Sequence, residues 1–362
     1  MPSLSRDKLR GYVLEEVLAK LIQNTGYRLL VDATQDTEEL ENRPNGLAVR
    51  GRGGSHQVDV LGELAWIPAF TFPLRLIVEA KARGGKSGID VVRNAVGVVS
   101  DVNQNYARSA ATRRALLQKF TYRYALFSTS GFSSPAAEYA LAHQISLVDL
   151  SAPEFGDIVQ LANEVTDAIW AGGSPGRGDG FVKRFRAWLR VELGTWPEEV
   201  QLPADWSEHG PRFDGQLLAV RDMLRERVEA MGELFVAMAN GPFLLVLRAR
   251  DPRYLVQVLD RDPVRDVSIH WSSQTQSATR WRITLPGEDD SAELTFTLPA
   301  PVAAWIFDEG ADARRRAMQF KEKFLSTLTI YRFIDGRDRL YRLQFSRPQI
   351  ADSWPRGRRR DE

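Results

Sequence analysis

The chain contains no cysteine. That excludes disulfide bridges and thiolate metal centres, and it permits a reducing compartment. Histidine is scarce as well: His56, His143, His209 and His270 are scattered and form no zinc-binding pattern. No apolar run approaches the roughly 18 residues of a membrane helix, and the opening "MPSLSRDKLRGY" lacks the apolar segment of a secretory signal. A cytoplasmic location with no membrane attachment is expected. Net charge is nearly absent, since 48 basic and 47 acidic residues leave +1, so no overall field draws the chain to nucleic acid. Lysine is rare too, with 8 lysines against 40 arginines. The two differ in chemistry: the lysine ammonium is compact and its pKa can shift, whereas a guanidinium stays charged.

What is present fits a soluble globular protein: 362 residues, 43% hydrophobic and 26% charged, long enough for two domains. Residues 8–25 carry Tyr12, Leu14, Leu18, Leu21 and Ile22 near helical spacing and close on Gly26. "YRLLVD" (27–32) reads as a strand and the polar 33–46 as a surface loop. "HQVDVLGEL" (56–64) alternates as one strand, "AWIPAFTFP" (65–73) is an apolar excursion suited to packing or a dimer contact, and a further strand runs into Glu79 and Lys81. Helices over 89–107, 134–144 and 155–170 then alternate with strands over 122–131 and 145–151, which implies parallel crossovers. "AGGSPGRGDG" (171–180) breaks this pattern and is the expected linker. Beyond it come helical segments and short β-like runs of α+β texture, then the tail "RPQIADSWPRGRRRDE", expected to be disordered. The expected domains are therefore 1–170 and 181–362, joined by 171–180.

The stretch "LIVEAKARGGKSG" (76–88) raises the chemical question. Side chains alternate along a strand, so Glu79 and Lys81 share one face while Val78 and Ala80 share the other. An acid two positions before a lysine is expected about once by chance in a chain of this composition, and it occurs once. The pair is either a solvated surface pair or the edge of a site. Asp59 on the preceding strand-like segment, and Glu15 or Glu16 on the first helix, supply the remaining parts. Two carboxylates on adjacent strands, Asp59 and Glu79, with the Ala80 backbone carbonyl between them, suit Mg2+. A nearby lysine can orient a water and offset charge on a phosphate. Those parts describe phosphodiester hydrolysis.

"GYVLEEVLAKLIQNTGYRLL", "GSHQVDVLGE", "LRLIVEAKARGGKSGIDVV" and "FSTSGFSSPAAEYALAHQISLVDL" resemble the PD-(D/E)xK nuclease superfamily, in particular its Mrr-like restriction endonucleases, over roughly residues 8–150. The resemblance implies a restriction-endonuclease-like α/β N-terminal domain, a mixed sheet flanked by helices, followed here by an α+β C-terminal domain. It implies an Mg2+-dependent DNA endonuclease, with Mn2+ able to substitute, in bacterial restriction or anti-phage defence. By motif position the strand aspartate is Asp59, the acid-x-lysine pair is Glu79 and Lys81, the helix glutamate is Glu15, and Gln57 matches a polar position two before the aspartate. Val58 stands where the superfamily's eponymous proline would be, and Glu79 is an acid where many Mrr-like relatives carry glutamine. The accessory domain lies C-terminal, so target specificity does not transfer. DNA is the implied partner; a homodimer and a defence-system partner protein stay open. Two alternatives also stay open: a nuclease fold kept as a DNA-binding or assembly module without catalysis, and a structure-specific repair nuclease.

Other residues have plainer expectations. His56 points away from Gln57 on an alternating strand and reads as structural, and Asp101 as an ordinary exposed acid. Arg83 and Lys86 are either phosphate contacts or loop charges. Trp271 and Trp281, aromatic residues alternating in strands, read as core, with stacking on nucleobases together with Arg280 as the sharper alternative. The basic runs at 314–316 and 356–360 suit phosphate contacts, or pairing with the domain's own acids.

Overall fold

A computed structural model describes residues 4–44, 46–65, 72–105, 119–152, 155–171, 181–203, 220–224, 226–227, 234–240, 244–275, 278–298, 300–307, 312–334 and 337–345. Helix α1 (Arg6–Asn24) starts where the Ser5 side chain accepts Lys8 N–H and ends where the Thr25 hydroxyl returns to the Ile22 carbonyl at 2.7 Å. Leu9, Val13, Val17 and Leu21 form its deepest stripe, and Glu15 and Glu16 are also buried. The chain turns at Gly26 with φ +89°, where a Cβ would lie 1.6 Å from Cε1 of Tyr331.

Strands β1 (Tyr27–Leu29), β2 (Leu40–Arg43), β3 (Gly46–Arg50), β4 (Ser55–Gln57), β5 (Val60–Leu64) and β6 (Leu74–Lys81) follow. The segment 56–64 is thus two strands, not one. A bend at Val58 and Asp59 sends β4 into a small sheet with β2 and β3, while β5 enters the main sheet. Part of the expected surface loop at 33–46 is likewise sheet, because Leu40, Leu47 and Val49 supply an apolar face. Helix α2 (Ile89–Asn103), β7 (Thr121–Ser128), α3 (Ser134–Ala142), β8 (Ser146–Asp149) and α4 (Gly156–Ala171) complete the alternating half.

The main sheet has the order β1-β5-β6-β7-β8, antiparallel from β1 to β6 and parallel from β6 to β8. Alternation along β6 sends Leu76 and Val78 into a core with α1 and α4, and Ile77 into a second core with α2 and α3. Glu79 and Lys81 continue the Ile77 face past the apolar part of the strand.

Of the expected linker 171–180, Ala171 closes α4 and residues 172–180 lie outside the described residues. Helix α5 (Phe181–Glu192) begins directly beyond them and belongs to the first core: Phe185, Trp188, Leu189 and Leu193 are buried with α1 and α4. Val220, Leu224 and Val246 join the same cluster. The packing of the N-terminal unit therefore does not stop at residue 170.

The remainder is a closed barrel. Strands β9 (Leu234–Met238), β10 (Leu244–Ala249), β11 (Val264–Thr275), β12 (Ala278–Thr284), β13 (Leu294–Thr297), β14 (Thr327–Ile334) and β15 (Arg337–Phe345) run in the order β10-β13-β12-β11-β15-β14-β9. All pairings are antiparallel except β11 with β15. Helices α6 (Pro252–Arg261), α7 (Ala300–Phe307) and α8 (Ala313–Phe324) cover it. Trp281 is fully buried in the core beside Phe296 and Phe320, and Trp271, partly buried, packs against that core on Phe307. Within the 314–316 run, Arg315 pairs with Asp312 and Arg316 donates to the Ile306 carbonyl. The 356–360 run and most of 65–73 lie outside the described residues.

Candidate active site

The β5–β6 ladder ends at Val60 opposite Val78. One step beyond, the Asp59 carboxylate accepts the Ala80 N–H at 2.9 Å through Oδ2. The bend before β5 thus places a carboxylate where the next strand residue would have paired. Burial pushes the Asp59 pKa up; the Ala80 N–H opposes that shift and the neighbouring Glu79 adds to it. Oδ1 has no hydrogen bond among the described residues.

Glu79 accepts the Tyr124 hydroxyl at 2.6 Å through Oε2 and pairs with the Lys81 ammonium through Oε1. Tyr124 comes from β7, whose parallel register sets Tyr124 opposite Ile77 and so on the same sheet face as Glu79. Burial and the adjoining Glu79 charge push the Tyr124 pKa far up, keeping the phenol a donor. Ser55, His56, Gln57, Asp59, Glu79, Asn94, Val98 and Tyr124 line one cleft of about 340 Å³. Gln57, Asp59 and Glu79 are therefore brought together, with Lys81 joined to them through its ion pair. Arg83 and Lys86, on the loop after β6, are exposed and have no ion-pair partner among the described residues.

Glu15 is not part of the cleft wall. It reaches toward Asp59 from the α1 side of the sheet, near enough that the Asp59 charge adds to the cost of ionising Glu15. Arg186 of α5 stands 2.9 Å from Glu15 Oε2, but that buried oxygen receives no hydrogen bond of acceptable geometry. Burial consequently outweighs the arginine, and the Glu15 pKa is pushed up to about 8. Its neighbour behaves oppositely. Glu16, 1% exposed, accepts from Arg186 Nε at 2.6 Å and from Arg190 Nε and Nη2 at 2.7 and 2.9 Å. Those arginines hold its pKa below the usual carboxylate range despite complete burial. Arg186 also donates to the Asp59 carbonyl at 3.4 Å and lies over the Tyr12 ring. It ties α5, α1 and the Asp59 bend into one charged cluster.

Sequence reasoning missed this cluster. The available signal was a pair of arginines at helical spacing, 186 and 190, within an amphipathic segment. It also missed the setting of His56, which lines the cleft alongside Gln57, and of Asp101. Asp101 is no idle surface acid: it binds His56 Nε2 at 2.7 Å and the Gly53 N–H at 2.8 Å.

No protein-family model matches the chain, and no curated protein matches it. Among solved structures it is similar to AF1548, a crystallised protein of unknown function, at 14% identity and a TM-score of 0.31 over 61% of this chain and 98% of that one. It is also similar to the MspJI restriction endonuclease in complex with a 27-mer oligonucleotide, at 17% identity and a TM-score of 0.24 over 49% of this chain and 35% of that one. Likenesses at these TM-scores carry no argument about fold or activity.

Proposed function

We propose that the protein is a metal-dependent endonuclease that hydrolyses phosphodiester bonds of DNA at the Asp59–Glu79–Lys81 cluster. The observation that carries this reading is the convergence of those three residues at the adjoining ends of β5 and β6, where Asp59 and Glu79 line one cleft and Lys81 is ion-paired to Glu79. The donor set suits Mg2+. It offers hard carboxylate oxygens, one of which, Asp59 Oδ1, has no hydrogen bond among the described residues, and the Ala80 carbonyl belongs to the residue whose N–H Asp59 accepts. Among the described residues no group of three or more His, Asp or Glu side chains forms a ready-made metal cage. Magnesium fits that shortage, because it is commonly held by one or two carboxylates and completes its shell with water and substrate oxygens. When bound, the cation supplies Lewis-acid activation of the attacking water and of the phosphate.

The chain's own groups do the remaining work. Lys81 places an ammonium beside Glu79, where it offsets charge that builds on phosphate oxygens in the transition state. Tyr124 fixes the Glu79 carboxylate by donating to one oxygen. Arg83 and Lys86, exposed and without an ion-pair partner among the described residues, offer cations to the backbone of a strand that runs past the cleft.

The test is incubation of the full chain with plasmid and linear DNA in Mg2+, Mn2+ or EDTA, alongside Asp59→Asn and Lys81→Ala. Asp59→Asn retains an oxygen acceptor for the Ala80 N–H. Each variant is expected to lose cleavage by about 10²-fold or more while keeping the wild-type circular dichroism. Undiminished cleavage by either variant refutes the assignment.

A further inference from the structure

We propose that His56, oriented by Asp101, is a further catalytic residue of this cleft: the acid that protonates the departing oxygen of the phosphodiester. The inference rests on the nuclease reading above and adds a second half to it. Asp59, Glu79 and Lys81 account for charge and for the attacking water, but a sugar oxygen that leaves as an alkoxide also needs a proton.

The cleft holds few groups able to give one. Tyr124 already donates to Glu79 at 2.6 Å, and burial beside that carboxylate makes its proton hard to release. Lys81 lies outside the lining and is paired with Glu79. The hydroxyl of Ser55 and the amides of Gln57 and Asn94 are too weakly acidic. His56 is the remaining candidate.

Its surroundings match the task. Nε2 lies 2.7 Å from Asp101 Oδ2, which fixes a proton on that nitrogen and sets the plane of the ring. Asp101 is itself fixed, because its other oxygen accepts the Gly53 N–H at 2.8 Å. The His56 bond, and then the Gly53 N–H, hold the Asp101 carboxyl below its ordinary range. Nδ1 has no hydrogen-bond partner among the described residues. In the protonated ring both nitrogens donate, Nε2 to Asp101 and Nδ1 to whatever oxygen occupies the cleft. An acid oriented by a third group is the usual arrangement for proton transfer to a leaving atom.

The step balances. The water oxygen forms a bond to phosphorus, and the bond from phosphorus to the sugar oxygen breaks with its electron pair. That oxygen takes the proton from Nδ1. The proton shed by the water passes to solvent, and the imidazole regains one from solvent, so nothing is oxidised or reduced.

A purely structural role is the competing account, since Asp101 also accepts the Arg52 N–H through its backbone carbonyl and helps close the turn at Gly51–Gly54. A sulfur substitution separates the two. The ends of the wild-type products identify the leaving oxygen. An oligonucleotide with sulfur at that bridging position then releases a thiolate, which departs without protonation. In Mg2+, full-length His56→Ala is expected to cleave the oxygen-bridged substrate about 10²- to 10⁴-fold slower than wild type, and the sulfur-bridged one within about threefold. Asp101→Asn, acting as a positioning variant, is expected to show a smaller loss with the same sulfur rescue. His56→Gln, closer in volume, replaces His56→Ala if the latter fails to fold. Equal losses on both substrates, or no loss on the oxygen-bridged one, overturn the acid role while the nuclease reading stands. A wild-type protein inert on both substrates defeats the nuclease reading itself, and this inference with it.

Discussion

Glu15 and Glu16 are adjacent on α1 and both buried, yet the structure gives them opposite charge states at neutral pH. Replacing each by glutamine should therefore move stability in opposite directions. The Glu15 carboxyl, with its pKa raised from 4.5 to about 8, is mostly neutral at pH 7. A carboxyl raised in this way contributes stability that is complete below its unfolded pKa and is lost as pH climbs through the folded one. The window runs from 4.5 to about 8, and the free energy lost across it is on the order of 5 kcal/mol. Glu15→Gln fixes the neutral form and should flatten this decline: close to wild type near pH 5, and more stable than wild type near pH 8. Glu16 has its pKa depressed, so its contribution is in place above the unfolded value and fades only as pH falls below it. Glu16→Gln leaves the Arg186 and Arg190 guanidinium groups facing an uncharged amide, and breaking a buried pair from one side costs about 3–5 kcal/mol. Equilibrium urea unfolding of the full chain near pH 5 and pH 8, followed by far-UV circular dichroism, measures both effects. Equal midpoints for the two variants near pH 8 would sink the reasoning, as would a Glu15→Gln protein that keeps the wild-type pH dependence.

A fragment ending at residue 171 loses α5 and with it the buried Phe185, Trp188, Leu189 and Leu193. At about 1.5–3 kcal/mol for each buried side chain, that loss rivals the whole stability of a typical domain. The fragment should show no cooperative unfolding transition, and a transition near the full-length midpoint would count against the packing described. At Gly26, an added methyl meets both a positive φ and the Tyr331 ring of β14. Gly26→Ala should cost about 2 kcal/mol or more, part of it relieved in a Gly26→Ala, Tyr331→Ala double variant; strict additivity in that cycle would show that the ring is not the obstacle.

Local pattern alone determined a good deal of this protein. The α1 stripe, the β6 run and its Glu79–Lys81 face, and the alternation of strands and helices through α4 all follow from apolar spacing within a few residues, which backbone geometry converts directly into faces. The partners of those faces were decided only by tertiary structure. Arg186 meets Glu16 across 170 residues of chain, and nothing local to either residue encodes that meeting. Strand alternation assigned His56 and Gln57 to opposite sides, but the bend at Val58 and Asp59 moves β4 out of the main sheet, so both line the cleft. The same bend carries Asp59 to the Ala80 N–H. The barrel depends on closure between β11 and β15, a parallel pairing of segments far apart in sequence, so its strands were legible singly while their order was not. Local sequence set which residues a face presents. Long-range packing set what each charge on that face meets, and in a buried site that meeting fixes the charge itself.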